Sequence, residues 1–145
     1  MASIRREVAI TANADVVWDA LRDVGAIHRR LAPGFVVDVK LEDGARVVTF
    51  GNGMVVRERI VDIDDQTRRL VWSAAGAGLT HYNASAQVFP EGDRGCRFVW
   101  IADLLPNELA PQVQSMIEAG LATIKRTLDE VRDAPPTLRE ARTHG

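Results

Sequence analysis

The sequence predicts one α+β domain in which a strongly curved, mostly antiparallel seven-stranded sheet grips a single long C-terminal helix, with two short helices near the N-terminus. Three observations carry this reading. Strand-like segments follow one another from residue 35 to 104 with only short turns between them, which favours antiparallel pairing. After Pro106 the apolar period changes from two to that of a helix. A lone strand and two short helical segments precede the run. With 145 residues, 46% of them hydrophobic, the chain suits one domain with a sizeable core.

Residues 4–10 alternate, Ile4, Arg6, Val8 and Ile10 against Arg5, Glu7 and Ala9, as a first strand does. Asn13 or Asp15 can cap the following helix, because a short side-chain oxygen can accept from the free N–H groups of a first turn. That helix carries Val17, Trp18 and Leu21 and ends near Gly25; a shorter one, 26–31, stops at Pro33-Gly34. Residues 35–42 read as a half-buried strand with Val37, Val39 and Leu41 on its apolar side. Asp43-Gly44 turns it into 45–51, and Asn52-Gly53 is a strong hairpin signal, since both residues tolerate positive φ. Strands 54–63 and 69–75 follow around a turn at 64–67, and 76–78 is a flexible Gly-Ala-Gly connection. Strands 81–89 and 96–104 are joined by 91–95.

From 107 to about 132, Leu109, Val113, Met116, Ile117, Leu121, Ile124, Leu128 and Val131 recur at helical spacing. Pro106 stands at the start of this helix, where a missing N–H is harmless. Pro135-Pro136 ends it. The domain is thus expected over residues 1–133, followed by a disordered polar tail, 134–145.

Net charge is −2, and the arginines fall in scattered pairs rather than a stripe, so nucleic acid is not an expected partner. The apolar runs are too short for membrane insertion, and no secretory h-region opens the chain. Cys96 is the only cysteine, which fits a reducing compartment. The expectation is a cytoplasmic domain, monomeric or homodimeric. His28, His81 and His144 lack ligand spacing, so neither a metal site nor a cofactor is expected. Cys96 has no evident base partner to make it a reactive thiol.

The segment VVRERIVDI, 55–63, raises the central question. With a period of two, Val56, Glu58 and Ile60 share one face and Arg57, Arg59 and Val61 the other. A carboxylate among aliphatic side chains must be satisfied, either by a ligand hydroxyl or ordered water, or by a nearby arginine or backbone group. Tyr82 shares its face with Ala84, Ala86 and Val88; small neighbours leave space beside a ring with a polar tip. On the neighbouring strand Ser73 and Ala75 alternate with Trp72 and Ala74, and alternation alone does not decide which pair points inward. Phe98, Trp100 and Ala102 form one face, as core or as cavity wall. Met116 adapts to varied shapes but also fills ordinary cores. Gly120 interrupts a good helix at a cost on the order of 1 kcal/mol relative to alanine. Either the helix passes close to a strand there, or the missing side chain leaves room for a ligand.

The segments IRREVAITANADVVWDAL, RERIVDIDDQTRRLVW, GLTHYNASAQVFP and FVWIADLLPNEL, in this order over residues 3–133, resemble the START-like superfamily with the helix-grip fold. Within it they are most similar to the polyketide cyclase/dehydrase and lipid-transport group. The middle segments also resemble the plant abscisic-acid receptors, in which a strand glutamate and a tyrosine line the hormone cavity; the matching residues here are Glu58 and Tyr82. No lysine stands near residues 35–36, where those receptors bind the hormone carboxylate, and a short GNG at 51–53 replaces their gate loop. The resemblance implies a cavity between sheet and helix for a small hydrophobic or amphipathic ligand such as a lipid, polyketide or aromatic metabolite. Glu58, Tyr82, Ser73, Trp100, Met116 and Gly120 are the candidate binding residues. A cyclase, aromatase or dehydratase using Glu58 and Tyr82 as acid and base is the alternative it implies, and a chaperone-like interaction module is a third.

Overall fold

A computed structural model of the chain describes residues 1–92 and 95–132. The tail expected at 134–145, and the domain limit at 133, lie outside the described residues. The elements run β1 (Ala2–Ile10), α1 (Ala14–Arg22), a π-helical turn (Ile27–Leu31), β2 (Val36–Glu42), β3 (Ala45–Phe50), β4 (Val55–Asp64), β5 (Arg69–Ala75), β6 (His81–Pro90), β7 (Cys96–Leu105), a 3-10 turn (Asn107–Leu109) and α2 (Ala110–Arg132). The strands form one antiparallel seven-stranded sheet in the order β1-β7-β6-β5-β4-β3-β2.

Local chemistry explains the joints. Asn13 caps α1, its Oδ1 accepting from the backbone N–H of Asp15 at 2.8 Å and of Val16 at 3.2 Å. The β3–β4 hairpin closes at Gly53, whose φ of +91° suits glycine, while Asn52 Oδ1 accepts from the Met54 N–H. The 3-10 turn that precedes α2 tightens its first residues, so the continuous α-helix begins at Ala110 rather than 107.

One strand departs from its sequence pattern. A bulge between Val36 and Asp38 resets the alternation of β2. Val36 is buried, whereas Val37 is 52% and Leu41 63% exposed, and Val39 is half-buried. Only Val37 leaves the expected apolar side. Beyond the bulge Val39 and Leu41 pair with the buried Val48 and Arg46 and share their inward face, Leu41 staying exposed because β2 is the edge strand.

The core lies between one face of the sheet and the helices. α2 presents Val113, Ile117, Leu121, Ile124 and Leu128 to it, all buried, and packs most closely along β1. Facing them are Phe98, Trp100, Ala102 and Leu104 of β7 with Tyr82, Ala84, Ala86 and Val88 of β6. Among the described residues, no helix is long and apolar enough to cross a membrane.

Candidate functional site

Between the sheet, α2 and the π-helical turn lies a chamber of about 50 Å³. Its wall is mostly aliphatic and aromatic, including Leu21, Ile27, Val48, Phe50 and Phe98. Such a volume holds a few waters; ligand pockets for drug-sized molecules run to hundreds of Å³. Of the wall residues only Phe35 and Met116 keep partial exposure. The thin side of the chamber therefore lies between the loop before β2 and the first half of α2.

Four polar residues reach this chamber. Glu58 of β4 and Arg46 of β3 face each other directly across the hairpin, both buried, with Arg46 Nε donating to Glu58 Oε1 at 2.8 Å. The guanidinium also lies 5.4 Å over the Trp72 ring, a cation–π contact that offsets part of its lost hydration. The Tyr82 hydroxyl is held well above its ordinary ionisation range, first by burial and second by the negative charge of Glu58. The nearby indole N–H of Trp100 pulls that rise back slightly, yet Trp100 Nε1 is buried without an acceptor at hydrogen-bonding geometry. Trp72 and Trp100 meet edge to face, 6.0 Å between ring centroids.

The candidate residues thus separate. Glu58, Tyr82, Trp100 and Met116 are brought together on the wall. Ser73 is not: it pairs with Arg59 and Asn83 on the opposite face of the sheet, and Trp72, its neighbour, is the inward residue of β5. Gly120 is not on the wall either. A Cβ there would stand 2.9 Å from Trp100 Cζ3 and 3.1 Å from Phe35 Cε2, so the missing side chain admits two aromatic rings rather than a ligand.

Arg46 and Phe35 were not among the candidates. Arg46 had a signal: residues 46 and 58 lie equally far from Asn52, so the Asn52-Gly53 hairpin pairs them once its register is fixed. Phe35 had none, since its role depends on where α2 crosses. His28, on the π-helical turn, is half-buried and off the wall, and its Nδ1 is buried without a partner. Burial, with Glu91 and Asp129 adding negative charge, pushes the Cys96 thiol up to about 11, so it stays an unreactive core group at neutral pH. Among the described residues no three His, Cys, Asp or Glu side chains are grouped to hold a metal ion.

Several solved structures share this architecture. A protein from Thermobifida fusca, solved by NMR, is 31% identical with a TM-score of 0.74, over 91% of this chain and 93% of that one. A START superfamily protein from Mycobacterium smegmatis is 12% identical with a TM-score of 0.68, over 90% and 97%. The di-domain ARO/CYC protein BexL, of the BE-7585A biosynthetic pathway, is 18% identical with a TM-score of 0.79; 92% of this chain spans 48% of that one. Curated protein sequences give no match. The architecture is START-like, a helix-grip fold, and the family described as polyketide cyclase/dehydrase and lipid transport matches residues 1–129. By that match over most of its length, the chain belongs to the polyketide cyclase/dehydrase and lipid transport family.

Proposed function

We propose that the chamber is the binding site for a small apolar or amphipathic molecule, with Tyr82, Trp100 and the Arg46–Glu58 pair orienting its polar end. The observation that carries this reading is the grouping of those polar atoms at one place in an otherwise oily wall. Burial of apolar ligand surface supplies affinity, and a few placed polar groups supply orientation. The chamber must enlarge to admit more than solvent, and the partly exposed Phe35 and Met116 side chains are the least enclosed part of its wall, Phe35 having to give up its edge contact with Phe50 to move.

An acid–base role for Glu58 and Tyr82, as in a cyclase or dehydratase, is weaker on the same observations. An efficient acid or base titrates near the working pH, whereas Tyr82 is held far from it and one oxygen of Glu58 is engaged by Arg46. Native mass spectrometry of the purified protein tests the binding reading, with tryptophan fluorescence as the second readout because Trp72 and Trp100 line the chamber. A co-purified apolar molecule at one per chain, whose removal shifts the emission, is the expected result. A consistently empty protein whose emission no hydrophobic probe alters would refute it.

A further inference from the structure

We propose that the polar end of the chamber is built to receive a neutral carbonyl oxygen, that of a ketone, quinone or lactone, through the Trp100 N–H and the Tyr82 O–H. This rests on the binding reading above and adds the chemical class of the ligand. The indole nitrogen can only donate. In Trp100 it is buried, the Tyr82 oxygen beside it does not stand at hydrogen-bonding geometry, and its residue is on the chamber wall. An unsatisfied buried donor costs the free energy of its lost hydration, so the site gains by supplying an acceptor. The Gly120 contact fixes which way that donor points. The benzo edge of Trp100, at Cζ3, lies against α2, which turns the opposite, N–H-bearing edge away from the helix, on the side where Tyr82 lies.

Charge then selects among acceptors. Arg46 and Glu58 form a pair with no net charge, and Arg46 Nε is already committed to the Glu58 carboxylate. At the Tyr82 hydroxyl it is the negative charge of Glu58 that is felt. A carboxylate ligand would enter that negative field and lose its hydration as well, so a free acid is rejected. A hydrocarbon leaves both donors unmet. A neutral carbonyl, with two lone pairs to accept from two donors, satisfies the site at the least cost.

Tetralin, α-tetralone and tetralin carboxylic acid present one skeleton with no acceptor, a neutral carbonyl and a carboxylate. Each is titrated at neutral pH by tryptophan fluorescence and by indole N–H NMR, the three indole signals being assigned with Trp100→Phe. The ketone should bind roughly tenfold tighter than tetralin, the gain of one to two hydrogen bonds. It should also shift the Trp100 N–H signal downfield, and the acid should bind more weakly than either. In Trp100→Phe and in Tyr82→Phe the preference for ketone over tetralin should shrink toward one. Equal binding of ketone and tetralin, or tightest binding of the acid, would overturn the carbonyl assignment while leaving the chamber a ligand site. Binding by none of the three would overturn both.

Discussion

At the scale of single residues, the site is a lesson in how a buried charge is kept. Glu58 sits 8% exposed and Arg46 4%, each tolerable only because the other is 2.8 Å away. Such pairs add little net stability over apolar replacements, yet removing one partner strands the other at a cost of about 3–5 kcal/mol. The pair therefore defines a polar point in the wall rather than strengthening the fold. Tyr82 reports on that point, and it is the only tyrosine in the chain. Its hydroxyl ionises later in the folded protein than in the unfolded chain, whose value is 10.0. Below pH 10 this leaves stability unaffected. Above it the unfolded chain alone releases the proton, and stability falls by up to about 1.4 kcal/mol per pH unit until the folded value is passed. A tyrosinate absorbance titration should thus show no ionisation at pH 10 while the protein is native, with the signal rising only on unfolding. In Glu58→Gln the ionisation should move to lower pH but stay above 10, because burial outranks the Glu58 charge as the cause. Ionisation at the ordinary pH in the native protein would mean that the ring is solvated and the chamber open.

Elements were legible in the sequence where a local rule decides them, and illegible where a distant contact does. The β3–β4 hairpin followed from Asn52-Gly53, and α2 from the spacing of its apolar residues, because turn chemistry and periodicity act within a few residues. The faces of β2 followed only in part: Val39 and Leu41 do lie on the inward side, but the bulge at Val36–Asp38 turns Val37 out and Val36 in, and no local residue type announces it. Ser73 against Trp72 was undecidable for the same reason, since alternation gives two faces but not which one is covered. Gly120 is the sharpest case, for its meaning depends on where α2 crosses Trp100 and Phe35. Replacing it by alanine sets two effects against each other. Helix propensity favours the change by about 1 kcal/mol. The new Cβ, however, would meet Trp100 Cζ3 at 2.9 Å and the Phe35 ring at 3.1 Å. Trp100 is boxed in the core, so the strain falls on the helix position and on Phe35, at about 1–3 kcal/mol. Denaturant titration of Gly120→Ala should show a net loss of roughly 1 kcal/mol, and adding Phe35→Ala should cost less than it does in the wild type. Stabilisation by Gly120→Ala alone would mean that α2 stands farther from the sheet than this packing requires.

Across the whole molecule, α2 has two unlike ends. Its C-terminal part is tied to the end of β1 and the residue after it. Asp129 Oδ1 accepts from the Thr11 N–H at 2.9 Å and hydroxyl at 3.0 Å, and Lys125 Nζ donates to the Ala9 carbonyl at 2.7 Å while lying 3.1 Å from Asp129. Its first half carries Met116 at the thin side of the chamber. Nearer its start Arg6 of β1 also pairs with Glu118 at 3.2 Å, and Ile117 is fully buried. A small tilt that widens the chamber at Met116 must therefore loosen that exposed pair while the Asp129 end stays in place. The strength of the tie is pH-dependent. Burial works against ionisation of Asp129, but the Thr11 backbone and hydroxyl bonds and Lys125 outweigh it, so its carboxyl lies below the ordinary value of 3.8. A carboxyl depressed in the folded state contributes stability that is present above its unfolded value and lost as pH falls through the folded one. Asp129→Asn should therefore lower stability at neutral pH by about 1 kcal/mol, the scale of a charge-assisted hydrogen bond that is partly exposed. The gap between variant and wild type should close as the pH falls below 3.8 and through the lower folded value. Denaturation midpoints across that range provide the measurement. A gap of constant size down to the acid limit would show that Asp129 holds α2 by shape alone, and the pinned end would have to be sought elsewhere along β1.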